Sequence, residues 1–260
     1  MIFKSIKTYS ARAFLRRPGG SNQPKIGWSA VGMGFFAGTM LMSIPYAFFA
    51  GHSLYFKSLF WIFLTGSFAG IIISSRFGMK YLQGLEGEKL VHDELEPIIR
   101  DGYHIINAFP GDKFDIDFVV VGPSGVYAIE VKNPSKFAAE DWIVYEAGSL
   151  YIKSKKAGRS IPLRAKDPIK QARRGGEWLT RYLSDVLGRR VQCVRSVVLF
   201  PRFLVEDHIE PDLMVLNPKR FVYEHLPKAQ QTLAPHEIGN IVTALRARIK
   251  TVDDAEMADA

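Results

Sequence analysis

Two long stretches without a charged residue dominate the hydrophobic pattern near the beginning of the chain. Residues 26–50 form an uncharged run of 25 residues, and residues 58–75 form a second run of 18. At about 1.5 Å per helical residue, the first run exceeds a hydrocarbon core of roughly 30 Å and the second nearly equals it. Neither run has a polar face, as a helix of a globular protein would have. The pattern predicts a transmembrane helical hairpin over residues 26–75.

Glycines spaced four residues apart occur in both predicted membrane helices. They are Gly34 and Gly38 in the first helix, and Gly66 and Gly70 in the second. Small residues at this spacing let helix backbones approach closely in lipid. The spacing indicates a tightly packed hairpin and also permits helix-mediated homo-oligomers. The alternative is that glycine is simply frequent in membrane helices.

The charges that flank the predicted hairpin determine its orientation. Residues 1–25 contain six basic and no acidic residues, whereas the turn between the two helices contains a single lysine, Lys57. Arg76 and Lys80 follow the second helix. The positive-inside rule therefore puts both ends of the hairpin in the cytoplasm. We expect a multi-pass protein of the plasma or inner membrane, with a basic N-terminal segment and a polar domain that are both cytoplasmic.

After the hairpin the pattern becomes that of a folded domain with helices and strands. Helical spacing of apolar residues or helix-start signals predict helices over residues 85–99, 168–187 and 235–250. Apolar runs bounded by Gly and Pro predict strands over residues 105–109, 117–121, 126–132, 142–145, 149–152, 194–200 and 213–216. This order predicts a mixed-sheet α/β domain over residues 84–250. Residues 76–87 form a short junction before it, and residues 251–260 form an acidic, disordered tail.

Two adjacent predicted strands carry acidic side chains and a lysine at one end. A tight turn at residues 123–124 would put Asp117 nearly opposite Glu130, where Cβ atoms of cross-strand neighbours lie about 4.5–5.5 Å apart. Glu130 and Lys132 alternate with Val131 and so share one face of the strand. Carboxylates brought together in apolar surroundings repel each other unless a cation lies between them. Carboxylate oxygens are preferred ligands of Mg²⁺, so this end of the hairpin is a candidate metal site.

Glu88 provides a third carboxylate for this site. It precedes Val91 by three residues and therefore shares the buried face of the first predicted helix of the domain. A carboxylate on a buried face needs a partner or a metal ion. Each acidic residue also has an ordinary explanation. Glu130 and Lys132 could lie on a solvated strand face, Asp117 could end a loop, and Glu88 could be favoured by the helix dipole.

Three sequence segments resemble the NERD (nuclease-related) domain, which is similar to members of the PD-(D/E)xK nuclease superfamily. They are GLEGEKLV at 84–91, DIDFVVVG at 115–122 and GVYAIEVKN at 125–133. A weaker resemblance continues through PIKQ at 168–171 to Pro201. The predicted membrane hairpin lies outside the resemblance. The resemblance implies a restriction-endonuclease-like fold. It also implies cleavage of nucleic acid that depends on Mg²⁺ or Mn²⁺.

The resemblance also implies roles for individual residues. Asp117 and Glu130 would be metal ligands, Glu88 would be the helix carboxylate beside the metal, and Lys132 would be the catalytic lysine. Gln171 would be a polar helix residue near the site. The family commonly has a histidine directly after the motif aspartate, and this chain has Phe118 there.

A strongly basic stretch lies between residues 150 and 195. It contains thirteen basic and three acidic residues, in a chain whose net charge is +8. Such an excess of positive charge indicates binding to the phosphate groups of a nucleic acid, and DNA is favoured over RNA. The alternative is binding to an anionic lipid surface. The predicted contacts are Lys153, Lys155, Lys156, Arg159, Lys170, Arg173, Arg174 and Arg181. Trp178 and Tyr182, interleaved with these residues, either stack on bases or form the core face of their helix.

These patterns together predict a membrane-anchored, Mg²⁺-dependent nuclease. A non-catalytic nucleic-acid-binding adaptor on the membrane is the first alternative, and a structural membrane protein that binds another protein is the second. Cys193 is the only cysteine, which excludes an intrachain disulfide and a cysteine-based zinc site. No pattern predicts an organic cofactor.

Overall fold

The chain divides into two compact units, one over Ser21–Leu85 and one that contains Glu86–Ala260. A computed structural model describes residues 30–41, 54–156, 158–163, 167–191 and 194–258. The helices are α1 (Ala30–Leu41), α2 (Leu54–Leu95), α3 (Pro168–Leu187), α4 (Pro218–Arg220) and α5 (Pro235–Ala258). Three further short helical turns are Glu96–Asp101, Phe221–His225 and Leu226–Lys228.

The first unit consists of α1 and the first part of α2, which contact each other. The hydroxyls of Thr39 and Ser67 are hydrogen-bonded at 2.8 Å. The ring of Phe36 lies against Gly70, where an added Cβ would lie 2.6 Å from it. Large apolar side chains point outward along α2, and they include Trp61, Ile62, Phe63 and Phe68.

The glycine pairs contribute less to this contact than their spacing predicts. A Cβ on Gly34, Gly38 or Gly66 would meet no described atom within 4 Å, so only Gly70 of the four lies against the other helix. Gly32 is the second close approach, because a Cβ there would lie 2.9 Å from Ser74 Oγ. The register of the two helices, which spacing alone does not give, decides which glycines are covered.

One helical stretch of the described residues, Phe60–Asp101, is long and apolar enough to cross a membrane by length and composition. Over its described residues, α1 is apolar but shorter. Residues 26–29 and 42–53 of the predicted hairpin lie outside the described residues. The second predicted span, residues 58–75, lies entirely within α2. The hairpin with two membrane spans therefore stays a prediction.

The second unit is built around a six-stranded mixed sheet. In chain order its strands are β1 (His104–Pro110), β2 (Asp115–Gly122), β3 (Gly125–Val131), β7 (Val194–Leu199), β9 (His208–Ile209) and β10 (Leu213–Leu216). Their order across the sheet is β1-β2-β3-β7-β10-β9. The β3–β7 and β7–β10 pairs are parallel and the other three pairs are antiparallel. The predicted mixed-sheet α/β class is confirmed.

A smaller four-stranded sheet lies beside the long one. Its strands are β4 (Trp142–Glu146), β5 (Ser149–Ser154), β6 (Arg159–Pro162) and β8 (Leu204–Val205), in the order β6-β5-β4-β8. Ile143 and Ile152 of this sheet pack with Phe200 and with Ile169 of α3 in one hydrophobic cluster. The two sheets of this unit therefore share part of their core.

Helices cover both faces of the six-stranded sheet, which explains the nearly continuous apolar runs of β2 and β3. On one face, Val91 and Leu95 of α2 pack with Phe118 and Tyr127. On the other face, α3 and α5 pack on Val119 and Ala128. The end of α2 is thereby held against the same strands that carry the predicted acidic residues.

Local signals set the ends of α3. Asp167 accepts a hydrogen bond from Lys170 N at 3.3 Å as the N-cap, and Pro168 occupies the first helical position. Gly188 ends the helix with a φ of +61°, a conformation that glycine adopts without a steric penalty. The predicted bounds of this helix are confirmed.

Two predictions about the linking segments differ from the structure. The predicted disordered tail after residue 250 is helical up to Ala258, because α5 continues through residues 251–254 into four strong helix formers at residues 255–258. Extending an existing helix is also easier than nucleating one. The predicted junction of residues 76–87 is likewise helical and belongs to α2.

Candidate metal and nucleic-acid site

A tight hairpin brings the two strand carboxylates together, as the sequence predicts. Gly122 pairs with Gly125 across a two-residue turn, and Phe118 pairs with Ile129 at the other end. Asp117 follows next in this register and lies beside Glu130. The backbone N–H of Val131 donates a hydrogen bond of 2.7 Å to Asp117 Oδ2, which fixes this carboxylate against the end of β3.

A strained residue on β1 lies across from Asp117. The β1–β2 pairing passes from Asn107–Phe118 to Phe109–Ile116, and Ala108 between them has a φ of +47°. A left-handed backbone costs an alanine roughly 1 kcal/mol or more. Strained residues of this kind cluster at functional sites, and here the strain lies at the carboxylate end of the hairpin.

Glu130 and Lys132 form an ion pair on the face of the strand that they share. Their side chains are 13% and 24% exposed, so the pair is largely shielded but still accessible. Val131 between them packs on the opposite face with Val91 and Ile129. The predicted alternation of these three residues is thus present in the structure.

Glu88 approaches the same site from α2. The preceding residue, Gly87, is so close to Asn133 that an added Cβ would lie 2.6 Å from Asn133 Cβ, which brings α2 directly onto the segment after β3. Burial and then the negative charge of Glu130 raise the pKa of Glu88 to about 7, and the positive charge of Lys132 opposes this increase. Glu88 is therefore within electrostatic reach of both Glu130 and Lys132.

Asp117 experiences the same crowding of negative charge. Burial raises its pKa well above the ordinary value, and Glu130 and Glu88 add to this effect. The hydrogen bond from Val131 and the charge of Lys132 act in the opposite direction without cancelling it. Three carboxylates thus share a site in which the positive charge of Lys132 opposes the raised pKa of both Asp117 and Glu88.

The chemistry of these residues fits a hard divalent cation. Carboxylate oxygens are the ligands that Mg²⁺ prefers, and Mg²⁺ is commonly held by one or two protein carboxylates. Asp117 and Glu130 can provide these two. Within the described part of the chain, no group of three acidic, His or Cys side chains is arranged to hold a metal ion together. Glu88 as a third ligand therefore stays a prediction.

Gln171 and Phe118 are the other two positions to which the resemblance to the NERD domain draws attention. Gln171 is half-buried on α3, and its buried Oε1 has no hydrogen-bond partner among the described residues. Phe118 is 2% exposed in the core, with its ring centroid 6.4 Å from that of His92. Phe118 therefore contributes to packing and has no group that could bind a metal or a phosphate.

The predicted basic residues of α3 differ in how much of their charge is available. Arg173 is paired with Glu210 at 3.0 Å and with Asp212 at 3.4 Å, so its charge is matched by acidic partners. Lys170 is 86% exposed, with Asp167 at 3.4 Å. Arg174 and Arg181 are also exposed. The guanidinium of Arg174 lies 4.2 Å from the centre of the Phe114 ring.

The remaining four predicted basic residues lie on the small sheet. Lys153 forms an ion pair with Glu146. Lys155, Lys156 and Arg159 are exposed at the β5–β6 turn, with Lys155 Nζ 6.0 Å from the centre of the Trp142 ring. The basic stretch is therefore divided between α3 and the β5–β6 turn, which the sequence does not reveal.

Trp178 and Tyr182 form the core face of α3, so the stacking alternative for them is wrong. Their rings are stacked with centroids 5.4 Å apart, and Trp178 is only 9% exposed. Both rings also lie under the guanidinium of Arg248. The amphipathic periodicity of the helix, with Leu179 and Leu183 fully buried on the same side, decides this outcome.

A clamp on the β1–β2 turn could not be read from the sequence. Arg248 of α5 donates hydrogen bonds to the carbonyls of Pro110 and Gly111 at 2.9 and 3.1 Å. Asp112 in this turn accepts hydrogen bonds from Arg248 at 3.1 Å and from Trp178 Nε1 at 2.8 Å. This clamp holds the turn that leads into β2 and therefore into Asp117.

A mixed sheet whose hairpin puts two carboxylates beside a lysine is consistent with a nuclease-like α/β domain. Residues 83–201 match the family model NERD, described as a nuclease-related domain. The match covers the β2–β3 hairpin, α3 and β7, and it spans slightly less than half of the chain. Residues 83–201 are thus similar to a nuclease-related domain. No curated protein and no solved structure matches the chain.

Proposed function

We propose that this protein is a membrane-anchored, metal-dependent nuclease that cleaves phosphodiester bonds of nucleic acid. The observation that carries the proposal is the convergence of Asp117, Glu130 and Lys132 at one end of the β2–β3 hairpin. Crowding three carboxylates together, which raises the pKa of Glu88 and of Asp117, is costly for a purely structural role. A divalent cation bound between the carboxylates would offset this cost.

The side chains have separate tasks in the proposed reaction. Asp117 and Glu130 would hold Mg²⁺ or Mn²⁺, which supplies Lewis-acid polarisation of a phosphoryl oxygen when bound. Lys132 puts a positive charge beside this position and can stabilise negative charge that develops on the phosphate. The N–H of Val131 keeps Asp117 in place, and Gln171 offers an unused amide oxygen from α3.

Nucleic acid is the proposed substrate, with DNA favoured over RNA. The residues proposed to contact its phosphates are the exposed basic side chains on α3 and at the β5–β6 turn. They are Lys155, Lys156, Arg159, Lys170, Arg174 and Arg181. Contacts of this kind give an affinity that does not depend on sequence and falls with salt. The proposed location of the domain is the cytoplasmic side of the plasma or inner membrane.

A cleavage assay on the full chain in detergent tests this function. Single-stranded, duplex and branched DNA and RNA are incubated with Mg²⁺, with Mn²⁺ or with EDTA. We expect cleavage only with metal, and a decrease of about 100-fold or more in Lys132→Ala, because it removes the positive charge beside the two proposed metal ligands. Lys228→Ala, at an exposed lysine outside the site, is the matched control and should keep full activity.

Cleavage by Lys132→Ala at the rate of the unsubstituted chain would contradict the proposed mechanism. Binding of DNA that EDTA does not change, without cleavage of any substrate, would instead establish the adaptor function. Phe118 in place of the histidine common in the family favours that alternative, because it removes a polar group next to Asp117. Failure to bind any nucleic acid at low salt would favour a protein-binding role.

A further inference from the structure

A second polar site lies at the end of the six-stranded sheet opposite to the carboxylates. Glu130 pairs with Val198 near the end of β7, whereas this site is lined by Arg195 at the start of the same strand. It is a cavity of about 420 Å³ between the β2–β3 turn, the segment after α3 and the beginning of α5. Its volume is within the range of roughly 300–1,000 Å³ that ligand pockets span.

Positive charge predominates in this cavity. Three arginines line it, Arg189, Arg190 and Arg195, against one acidic residue among the described lining residues, Glu237. Glu237 is already engaged, because it accepts a hydrogen bond from Arg189 at 2.6 Å and one from Ala234 N at 2.9 Å. Within the described ranges, no acidic side chain forms an ion pair with Arg190 or Arg195.

The charge of Arg195 acts on its surroundings. His225 has a pKa below its ordinary value, because burial and then the positive charge of Arg195 disfavour its protonation. Bringing guanidinium groups together is unfavourable unless an anion lies between them. The three arginines therefore form a site that an anionic ligand would stabilise.

The walls of the cavity are held in place before any ligand binds. Thr232 N and Leu233 N both donate hydrogen bonds to Pro123 O, at 2.8 and 3.0 Å. The hydroxyl of Ser124 is hydrogen-bonded to two buried tyrosine hydroxyls, from Tyr103 at 2.7 Å and Tyr127 at 2.8 Å. These bonds fix one side of the cavity, which lowers the ordering cost of binding a ligand there.

The cavity combines its arginines with apolar surface. Val191, Leu233 and Ile241 line it together with the charged residues. Guanidinium groups bind phosphate oxygens through two parallel hydrogen bonds and also stack on aromatic rings. An apolar wall beside such groups suits a flat ring attached to the phosphate.

We propose that this cavity is a binding site for a small organic phosphate of nucleotide size. The phosphate lies against Arg190 and Arg195, and the ring system lies against the apolar wall. Arg189 is largely occupied by Glu237 and contributes less. This site is separate from the carboxylate site and does not depend on the proposed nuclease activity.

Calorimetric titration of the full chain in detergent tests the site, with EDTA present so that binding cannot require a metal. Adenosine 5′-monophosphate is the probe, and adenosine and inorganic phosphate are the comparisons. We expect the monophosphate to bind more tightly than either comparison compound. Arg190→Gln and Arg195→Gln should each weaken its binding about tenfold, equivalent to about 1.4 kcal/mol. Arg100→Gln, at an exposed arginine outside the cavity, should leave binding unchanged.

Two further variants separate this proposal from the others. Glu237→Gln should tighten binding of the monophosphate, because it removes the opposing charge and frees Arg189. Glu130→Gln, which alters the carboxylate site, should bind the monophosphate normally. The proposal is overturned if the monophosphate gives no binding at millimolar concentration, or if the two arginine variants bind it as tightly as the unsubstituted chain. If inorganic phosphate binds as tightly as the monophosphate, the proposal that the ligand is of nucleotide size is overturned.

Discussion

At the residue scale, the environment of Glu88 has consequences that can be measured without any substrate. Its carboxyl group is partly buried beside Glu130, and these surroundings favour its protonated form. The pKa of Asp117 is raised for the same physical reasons. An acid with a raised pKa in the folded state binds protons that the unfolded state has already released.

The first prediction is that the metal-free protein loses stability as the pH rises from about 4.5 to about 7. In this range the folded state holds more protons than the unfolded state, so the free energy of unfolding decreases with pH. We expect a decrease on the order of 1–3 kcal/mol from Glu88. Denaturant unfolding of the full chain in detergent and EDTA, repeated across this pH range, measures it.

Glu88→Gln should make this pH dependence shallower, because it removes one titrating group. Glu96→Gln, at an exposed glutamate just beyond α2, is the control and should leave the slope as it is. Mg²⁺ should restore stability at neutral pH if the carboxylates bind it. An equally steep slope in Glu88→Gln and in the unsubstituted chain would show that the environment of Glu88 has been described incorrectly.

At the scale of the element, two consecutive glycines show how closely α3 packs on the sheet. A Cβ on Gly176 would collide with Ser196 Oγ of β7. A Cβ on Gly175 would lie 3.5 Å from Ile116, an ordinary contact distance. Both glycines are buried in the same helix turn, so they form a natural matched pair.

The second prediction is that alanine substitutions at these two positions have opposite effects on stability. Gly176→Ala should destabilise the domain by about 1–3 kcal/mol, because the helix or Ser196 must move. Gly175→Ala should stabilise it by up to about 1 kcal/mol through its better helix propensity. Denaturant unfolding of both variants measures the difference. Equal changes in the free energy of unfolding of the two variants would contradict the described contact between α3 and β7.

At the scale of the whole molecule, the exposed side chains of α2 are the observation that supports a membrane anchor. Trp61, Ile62, Phe63 and Phe68 are each between 58% and 64% exposed. A monomer in water rarely exposes so many large apolar side chains along one helix. A surrounding lipid phase would remove this surface from water.

The third prediction is that the full chain stays with membranes after an alkaline carbonate wash and is released by detergent. Phe68→Arg should lower the membrane-bound fraction, because an arginine near the centre of a membrane helix costs about 2.5–3.5 kcal/mol. Leu204→Arg is the control, since Leu204 is 72% exposed on β8 in the other unit. Release of the unsubstituted chain by carbonate would contradict the anchor.

Patterns that depend on neighbours along the chain could be predicted from the sequence. The β2–β3 hairpin follows from two apolar runs around a turn of two residues, and its register puts Asp117 beside Glu130. The bounds of α3 follow from Pro168 and Gly188. Such features could be predicted because alternation along strands and turn or cap preferences act over a few residues.

Contacts between residues distant in the sequence were decided only by the tertiary structure. Arg173 lies next to Glu210 and Asp212, so a residue that composition assigns to a basic surface has its charge matched. The strained backbone of Ala108, the clamp of Arg248 on the β1–β2 turn and the arginine-lined cavity likewise arise from separate elements packed together. The sequence determines which groups are present and how strands and helices form locally. Packing determines which charges meet, because burial and distance set the energy of each charge.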